Sequence, residues 1–242
     1  MATSTPPRTT RTARTTPTTT ARRTTIAMKL VMAVTGLVFV AFVLVHMYGN
    51  LKMFAGRAAY DDYAEHLRTL LTPILPYSGF LWITRAVLIG SLVAHVYSAF
   101  YLWSRAQNAR TTKYQVKKAV VATVSSRFMR WGGVTLLLFI VWHILQFTTQ
   151  TINVNGSKAS PYDRYVSAFQ PSVWWCFVIY ALAMVALFMH LRHGVWSASQ
   201  TLGLTGTAKA RRNANLLGQT LAVVIAGGFI LPAVFVLVGV IK

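Results

Sequence analysis

The chain has 242 residues, of which 55% are hydrophobic and only 12% are charged, about half the charged share of an ordinary soluble domain. Its 24 Lys and Arg residues outweigh four acidic residues, giving a net charge of +20. Because the basic residues lie between long apolar stretches, this balance indicates a membrane surface rather than nucleic-acid binding. The single cysteine excludes both an internal disulfide framework and a four-thiolate cluster built by this chain alone. We therefore expect an integral membrane protein.

Residues 1–24 are rich in Thr and Arg and contain no apolar run. A secretory signal peptide needs such a run, so none is expected there. The Pro and Thr density also argues against an amphipathic transit helix. We predict a disordered basic tail over residues 1–24, on the cytoplasmic side, followed by a membrane domain over residues 25–242.

Five apolar stretches are long enough to cross a membrane, which takes about 20 residues per helix. They lie near residues 28–48, 80–103, 128–147, 173–191 and 215–240. Strands of an outer-membrane barrel would instead alternate in polarity over about ten residues. The sequence predicts an all-α integral membrane protein with five transmembrane helices in one bundle.

The distribution of Lys and Arg predicts the orientation of this bundle. Six lie in the tail and at the start of the first span, seven in the connection between the second and third spans, and four between the fourth and fifth. The opposite side has the other seven and all four acidic residues. By the positive-inside rule the amino terminus is cytoplasmic and the carboxyl terminus lies outside, as expected for a multi-pass protein of a bacterial inner (plasma) membrane.

Four histidines lie inside the predicted spans, where polar side chains are costly and commonly functional. At 1.5 Å per residue, His46 lies about 27 Å and His143 about 22 Å from the inner face. His95 and His190 lie about 22 Å and about 26 Å below the outer face. The histidines therefore form an outer layer, His46 with His143, and an inner layer, His95 with His190.

Each layer takes one histidine from each of two helices, which is the arrangement that clamps a flat macrocycle between two axial nitrogens. Bis-imidazole ligation makes an electron-transfer haem with no open iron position. We therefore predict two haem b groups, with these four histidines as ligands to iron. Two alternatives remain: histidines that bond backbone carbonyls across helices, and a His-ligated iron–sulfur cluster whose thiolates come from a partner.

Three stretches carry a family resemblance: HMYGNLKMFAG with YDDYAEHL (residues 46–56 and 60–67), AHVYSAFYLW (94–103) and HLRHGVWSASQTLGL (190–204). With them the chain resembles the membrane-anchor cytochrome b subunit of succinate dehydrogenase and fumarate reductase, in its single-subunit, five-helix, di-haem form. The resemblance covers nearly everything after residue 25. In that family His190, four residues before Gly194, corresponds to an inner-haem ligand paired with His95, and His46 and His143 correspond to the outer ligands. Phe188 stands where some members have a glutamate.

The resemblance implies a membrane anchor of respiratory complex II, which links the tricarboxylic acid cycle to electron transport. Its partners would be a flavoprotein and an iron–sulfur subunit on the cytoplasmic face, and the whole complex could form a higher oligomer. Electrons would pass from the iron–sulfur subunit through haem to menaquinone or ubiquinone. The isolated chain would have no activity and no catalytic residue of its own.

Two groups of residues are candidates for quinone binding, because quinone reduction needs hydrogen-bond donors and a proton source beside an apolar groove. The outer group is Tyr60, Asp61, Glu65 and His66. The alternative for the outer group, which is slightly favoured, is an exposed amphipathic loop helix. The inner group is Lys29, Tyr101, Arg192, His193 and Trp196, for which interfacial anchoring or haem-propionate pairing is the alternative.

Two other functions fit parts of the pattern. A di-haem subunit of another quinone-linked oxidoreductase, such as nitrate reductase, also uses five helices, but the GNL and HGVWSASQTLG stretches argue against it. A cofactor-poor anchor or transporter is disfavoured because no acidic residue lies in a span and no internal repeat marks a substrate path.

Overall fold

The structure is a computed structural model that describes residues 19–108, 122–156 and 160–242. The described chain folds into seven α-helices: α1 (Thr19–Leu51), α2 (Arg57–Thr69), α3 (Gly79–Asn108), α4 (Ala122–His143), α5 (Pro161–Ala168), α6 (Trp174–Thr201) and α7 (Ala208–Leu237). A π-helical segment, Ile144–Thr148, continues α4. No strand occurs within these three ranges.

Five of the helices are long and apolar enough to cross a membrane, as predicted. They are α1, α3, α4 with its π-helical extension, α6 and α7, and their outward surfaces are covered with exposed apolar side chains such as Val93, Leu182 and Val185. Such surfaces suit lipid, because helices satisfy their own backbone hydrogen bonds inside a bilayer. The protein is therefore a multi-pass, all-α membrane protein.

The helix boundaries differ from the predicted spans at several ends. The predicted tail lies outside the described residues except for 19–24, which form the first turns of α1. α6 extends ten residues beyond the predicted end at residue 191, since HGVWSASQ contains no proline and Gly194 alone does not stop a helix. The helix ends only before Gly203, whose φ of +77° gives the left-handed conformation common after helix ends. α7 begins at Ala208, where the Thr207 hydroxyl accepts a hydrogen bond from the Ala210 amide at 3.1 Å.

α6 is central to the bundle and packs against α7, α4 and α1, while α3 packs mainly against α1. The approach of α6 to α7 is close because Gly218 has no side chain. A Cβ built there would lie 2.8 Å from the backbone oxygen of Arg192. Small residues allow this kind of close packing between membrane helices.

Two short helices, α2 and α5, lie outside the spans and are joined to each other by polar contacts. Asp61 on α2 accepts a hydrogen bond from the Ser160 hydroxyl at 2.5 Å and from the Tyr162 amide at 3.0 Å. Asp61 thereby satisfies a free N–H group at the start of α5. Arg57 also pairs with Asp163 at 2.6 Å, although that pair is exposed and adds little stability. The α2–α5 contact covers one end of the transmembrane bundle.

Candidate functional site

A large cavity of about 1120 Å³ runs between α1, α3, α4 and α6. Its walls are mostly apolar, but all four histidines that were predicted to form two layers line it. The volume exceeds the roughly 300–1,000 Å³ of a typical small-molecule pocket. The cavity is therefore large enough for more than one bulky, mainly apolar group.

The histidines face one another in the predicted pairs. The ring centroids of His46 on α1 and His143 on α4 lie 5.9 Å apart. Those of His95 on α3 and His190 on α6 lie 6.2 Å apart. α1 and α4, like α3 and α6, make few or no close backbone contacts within the described residues. Each histidine pair thus reaches across a gap that helix packing leaves open.

The distance between the two histidine layers can be read along α1 and α4, because each of these helices contacts both layers. Gly36 on α1 lies against His95, since a Cβ there would be 3.4 Å from Cε1 of His95. Gly133 on α4 lies against His190 at 3.5 Å by the same measure. His46 is ten residues from Gly36, and His143 is ten from Gly133, which at 1.5 Å per residue corresponds to about 15 Å on either helix. Two helices therefore give the same separation of the layers.

A chain of buried hydrogen bonds fixes the proton on the His143 ring. The Tyr180 hydroxyl donates to Oε1 of Gln146 at 2.9 Å and lies 3.2 Å from Nδ1 of His143. Because the hydroxyl has a single proton, it accepts from Nδ1–H of His143. The Nε2 nitrogen of His143 is then left with a free lone pair, the form in which histidine binds a metal.

The inner pair is held by a smaller set of contacts. The Thr35 hydroxyl donates to the Val31 carbonyl at 2.7 Å and lies 3.1 Å from Nδ1 of His95. By the same reasoning Nδ1 of His95 is a donor, and the His95 ring also has a hydrogen bond to the Met32 backbone. Nδ1 of His190 is buried without a well-formed hydrogen bond to the described residues, although the Met129 carbonyl lies near the ring.

The site fits a metal macrocycle better than a bare metal ion. A metal bound by one nitrogen of each ring at about 2.0 Å would separate the ring centroids by roughly 6 Å, as both pairs do. Nowhere in the described ranges do three or more His, Cys, Asp or Glu side chains converge on one point. Each pair could therefore offer two ring nitrogens to one metal, whose other ligands would have to come from a bound group. Gly36 and Gly133 let α1 and α4 approach the inner histidine rings closely.

Cations line the cavity near both ends. Lys29 and Arg130 lie toward the side that the charge distribution predicts to be cytoplasmic, and Arg85 and Arg164 lie toward the other. An apolar cavity with basic residues at its ends suits an apolar group that carries carboxylates, as haem does.

One of the four outer quinone candidates lines the cavity. Tyr60 does so, and burial raises its pKa to about 12. Asp61 is engaged at the start of α5. Glu65 is exposed and pairs with Arg68 at 2.9 Å, and His66 is exposed. The predicted amphipathic loop helix is present as α2, and it directs only part of the outer group toward the cavity.

The inner candidates divide in the same way. Lys29 and His193 line the cavity. The Trp196 ring lies 6.1 Å from that of His193 without lining the cavity itself. The Tyr101 hydroxyl accepts a hydrogen bond from Arg105 at 2.8 Å, and Arg192 is exposed.

Comparison with known proteins identifies the family. Residues 104–235 match the model of the succinate dehydrogenase/fumarate reductase transmembrane subunit. The chain belongs to this family. The matched region contains His143 and His190, whereas His46 and His95 lie before it. No curated protein and no solved structure matches the chain. As a transmembrane subunit of succinate dehydrogenase/fumarate reductase, the chain associates with other subunits of that complex in the membrane.

Several residues of this transmembrane subunit's cavity were not found from sequence. Arg164 follows a proline-started turn that looks like part of a loop, and it lies on α5 at the cavity wall. Tyr180 and Gln146 lie in apolar runs at positions without an evident pattern. Gly36 and Gly133 face histidines on other helices, a relationship that depends on helix rotation and is invisible in a single sequence.

Proposed function

We propose that the chain is the membrane anchor and electron-transfer subunit of succinate:quinone oxidoreductase, with one haem b between His46 and His143 and another between His95 and His190. The observation that supports this most directly is the pair of facing histidine couples in one cavity. The four histidines would hold the two groups, and haem bound there would supply one-electron transfer.

The chain's residues would arrange this electron path in three ways. The histidines hold two positions about 15 Å apart along the helices. The apolar walls exclude water, so that electrons do not leak to dissolved acceptors. Thr35 and Tyr180 leave Nε2 of His95 and His143 unprotonated and directed by their Nδ1 contacts.

A flavoprotein and an iron–sulfur subunit would dock on the cytoplasmic face. Support comes from exposed basic residues in the first turns of α7, which are Lys209, Arg211 and Arg212, and from exposed Arg192 on α6. An exposed cationic surface of this kind favours anionic lipid headgroups and an acidic protein surface. This orientation places the amino terminus in the cytoplasm of a bacterium and the carboxyl terminus outside.

Quinone, either menaquinone or ubiquinone, would enter the cavity from the bilayer and meet donors at one of its ends. Tyr60 and Arg164 offer O–H and N–H donors at the outer end, and Lys29 and His193 offer donors at the inner end. Each set borders apolar walls that suit a quinone ring.

Affinity purification of the tagged chain, followed by identification of its partners and a reduced-minus-oxidised spectrum, tests the proposal. We expect a flavoprotein, an iron–sulfur protein and a b-type absorption band. Absence of both partners would refute the role in succinate:quinone oxidoreductase. Presence of the partners without b-type absorption would refute the haem assignment and leave the anchor role intact.

A further inference from the structure

A continuous hydrogen-bonded chain links the outer histidine pair to the interior of α6. It runs from His143 to the Tyr180 hydroxyl at 3.2 Å, from Tyr180 to Gln146 at 2.9 Å, and from Gln146 Nε2 to Cys176 Sγ at 3.3 Å. Gln146 is 6% exposed and Cys176 is fully buried. A buried polar network of this kind is costly unless every member is paired.

Gln146 lies in the π-helical segment that follows α4. His143 ends α4, and Ile144–Thr148 follows with five-residue hydrogen bonding, as in the Thr149 amide bond to the Ile144 carbonyl at 3.0 Å. His143 and Gln146 are three residues apart, a spacing that puts side chains on one helix face, and both contact Tyr180. Single π-helical turns within α-helices occur frequently at functional sites.

The hydrogen bonds of this network all donate in a single consistent pattern. The Gln146 amide donates to Cys176, so its carbonyl oxygen faces Tyr180 and accepts that residue's only proton. The Tyr180 oxygen is left to accept from Nδ1–H of His143. Cys176 is therefore connected to the His143 imidazole through Gln146 and Tyr180.

We propose that Tyr180, Gln146 and Cys176 are positioning residues that set the redox potential of the outer haem through His143. This inference rests on the proposed function, because it requires His143 to bind haem iron. An acceptor on Nδ1–H raises the basicity of the imidazole and fixes the plane of its ring. A more basic ligand stabilises the oxidised iron. The intact hydrogen-bonded network therefore holds the redox potential of the outer haem low.

The hydrogen-bonded network behind the inner histidine His95 is shorter than the one behind His143. The Thr35 hydroxyl contacts His95 and donates to a backbone carbonyl, without a further side chain behind it. Each haem can thus be perturbed separately, the inner one through the Thr35 hydroxyl and the outer one through the Tyr180 hydroxyl. Each variant then serves as the control for the other.

The test measures the midpoint potential and the low-spin paramagnetic resonance signal of each haem in the purified complex. The haem lost in His143→Ala identifies the outer signal. Tyr180→Phe keeps the ring and removes the acceptor, so we expect the outer potential to rise and the outer signal to change while the inner haem stays as in wild type. Gln146→Leu should give a smaller shift in the same direction, and Cys176→Ala a smaller one again.

Two control variants distinguish this effect from a general loss of packing in the bundle. Tyr162→Phe removes a buried hydroxyl that bonds the Lys242 carbonyl at 3.1 Å outside the cavity lining, and it should leave both potentials unchanged. Thr35→Val should raise the inner potential and leave the outer one unchanged.

The result that overturns the inference is a wild-type outer potential and signal in Tyr180→Phe, in a complex that retains both haems. An equal shift of both haems in Tyr180→Phe would also overturn it, because the chain contacts only one pair. Absence of haem from the wild-type complex would instead refute the proposed function. If Tyr180→Phe does not accumulate, Gln146→Leu gives the same comparison, and an unshifted outer potential there overturns the inference.

Discussion

The backbone of Gly133 on α4 lies against the ring of His190 on α6, so that a Cβ at residue 133 would be 3.5 Å from Cε1 of His190. That distance is an ordinary van der Waals contact, which leaves no space for a larger side chain. His190 faces His95 on its other side at a centroid distance of 6.2 Å. Gly133 therefore determines how far the His190 ring can move away from its partner.

At Gly133 we expect a methyl side chain to be tolerated and a larger side chain to disrupt the inner site. We expect Gly133→Ala to retain both haems, because its added methyl group fits at contact distance. Gly133→Leu should displace the His190 ring and lower the haem content to about half, since only the inner site is affected. Gly90→Leu on α3 is the matched control, because a Cβ at Gly90 meets nothing within 4 Å. Haem per chain, measured from the reduced spectrum, checks this, and equal loss in the two leucine variants would contradict it.

The two histidines of α6 should respond differently to replacement. His190→Ala removes a ring that faces His95 and should abolish the inner haem, whereas His193→Ala should retain it, because the His193 ring contacts Trp196 rather than His95. The measurement is the number of b-type components in a redox titration. Loss of a component in His193→Ala, with both retained in His190→Ala, would reverse the assignment.

The contact between Asp61 and the start of α5 should contribute to stability. Asp61→Ala leaves the Ser160 hydroxyl and the Tyr162 amide without their acceptor, at a cost of about 1–3 kcal/mol. Asp61→Asn retains an acceptor and should cost less. Asp62 is exposed on the same helix, so Asp62→Ala should change the free energy of unfolding by about 0.5 kcal/mol or less. Unfolding in detergent micelles measures both, and equal effects at residues 61 and 62 would contradict the role of Asp61.

The five spans were predictable from sequence because a bilayer requires about 20 apolar residues from each crossing helix. The histidine pairs were predictable for a related reason. A transmembrane helix is nearly straight, so counting residues gives depth, and His46 with His143 and His95 with His190 do face each other in the structure. Depth, however, carries no information on which way a side chain points around the helix.

The remaining parts of the site depend on rotation and local geometry. Tyr180 contacts both His143 and Gln146 because of the rotation of α6 relative to α4 and its π-helical extension, which a single sequence does not give. Asp61 was expected among quinone ligands because quinone reduction needs a proton source, but its bonds to Ser160 and Tyr162 could not be foreseen without knowing that α5 forms. Arg164 was missed for the same reason.

Alkaline pH should destabilise the outer end of the bundle through Tyr60. Burial, reinforced by the nearby charge of Asp61, raises the pKa of Tyr60 from 10.0 to about 12. Below pH 10 the phenol is protonated in both the folded and the unfolded chain, so it makes no pH-dependent contribution. Between about pH 10 and 12 the unfolded chain releases this proton and the folded chain keeps it. The unfolded state then binds fewer protons, and the free energy of unfolding falls as pH rises, by about 2–3 kcal/mol across the interval.

Tyr60→Phe removes the titrating hydroxyl and keeps the ring, so it should flatten this alkaline decline. Tyr165 is also buried, with its pKa raised chiefly by burial, so Tyr165→Phe should flatten the decline as well and the double variant should flatten it most. The measurement is thermal unfolding of the purified protein in detergent between pH 9 and 12, a range chosen to bracket the two ends of the Tyr60 transition. An alkaline decline in Tyr60→Phe as steep as in the wild type would mean that the Tyr60 hydroxyl is not shielded from solvent by α5, because an accessible phenol would ionise equally in both states.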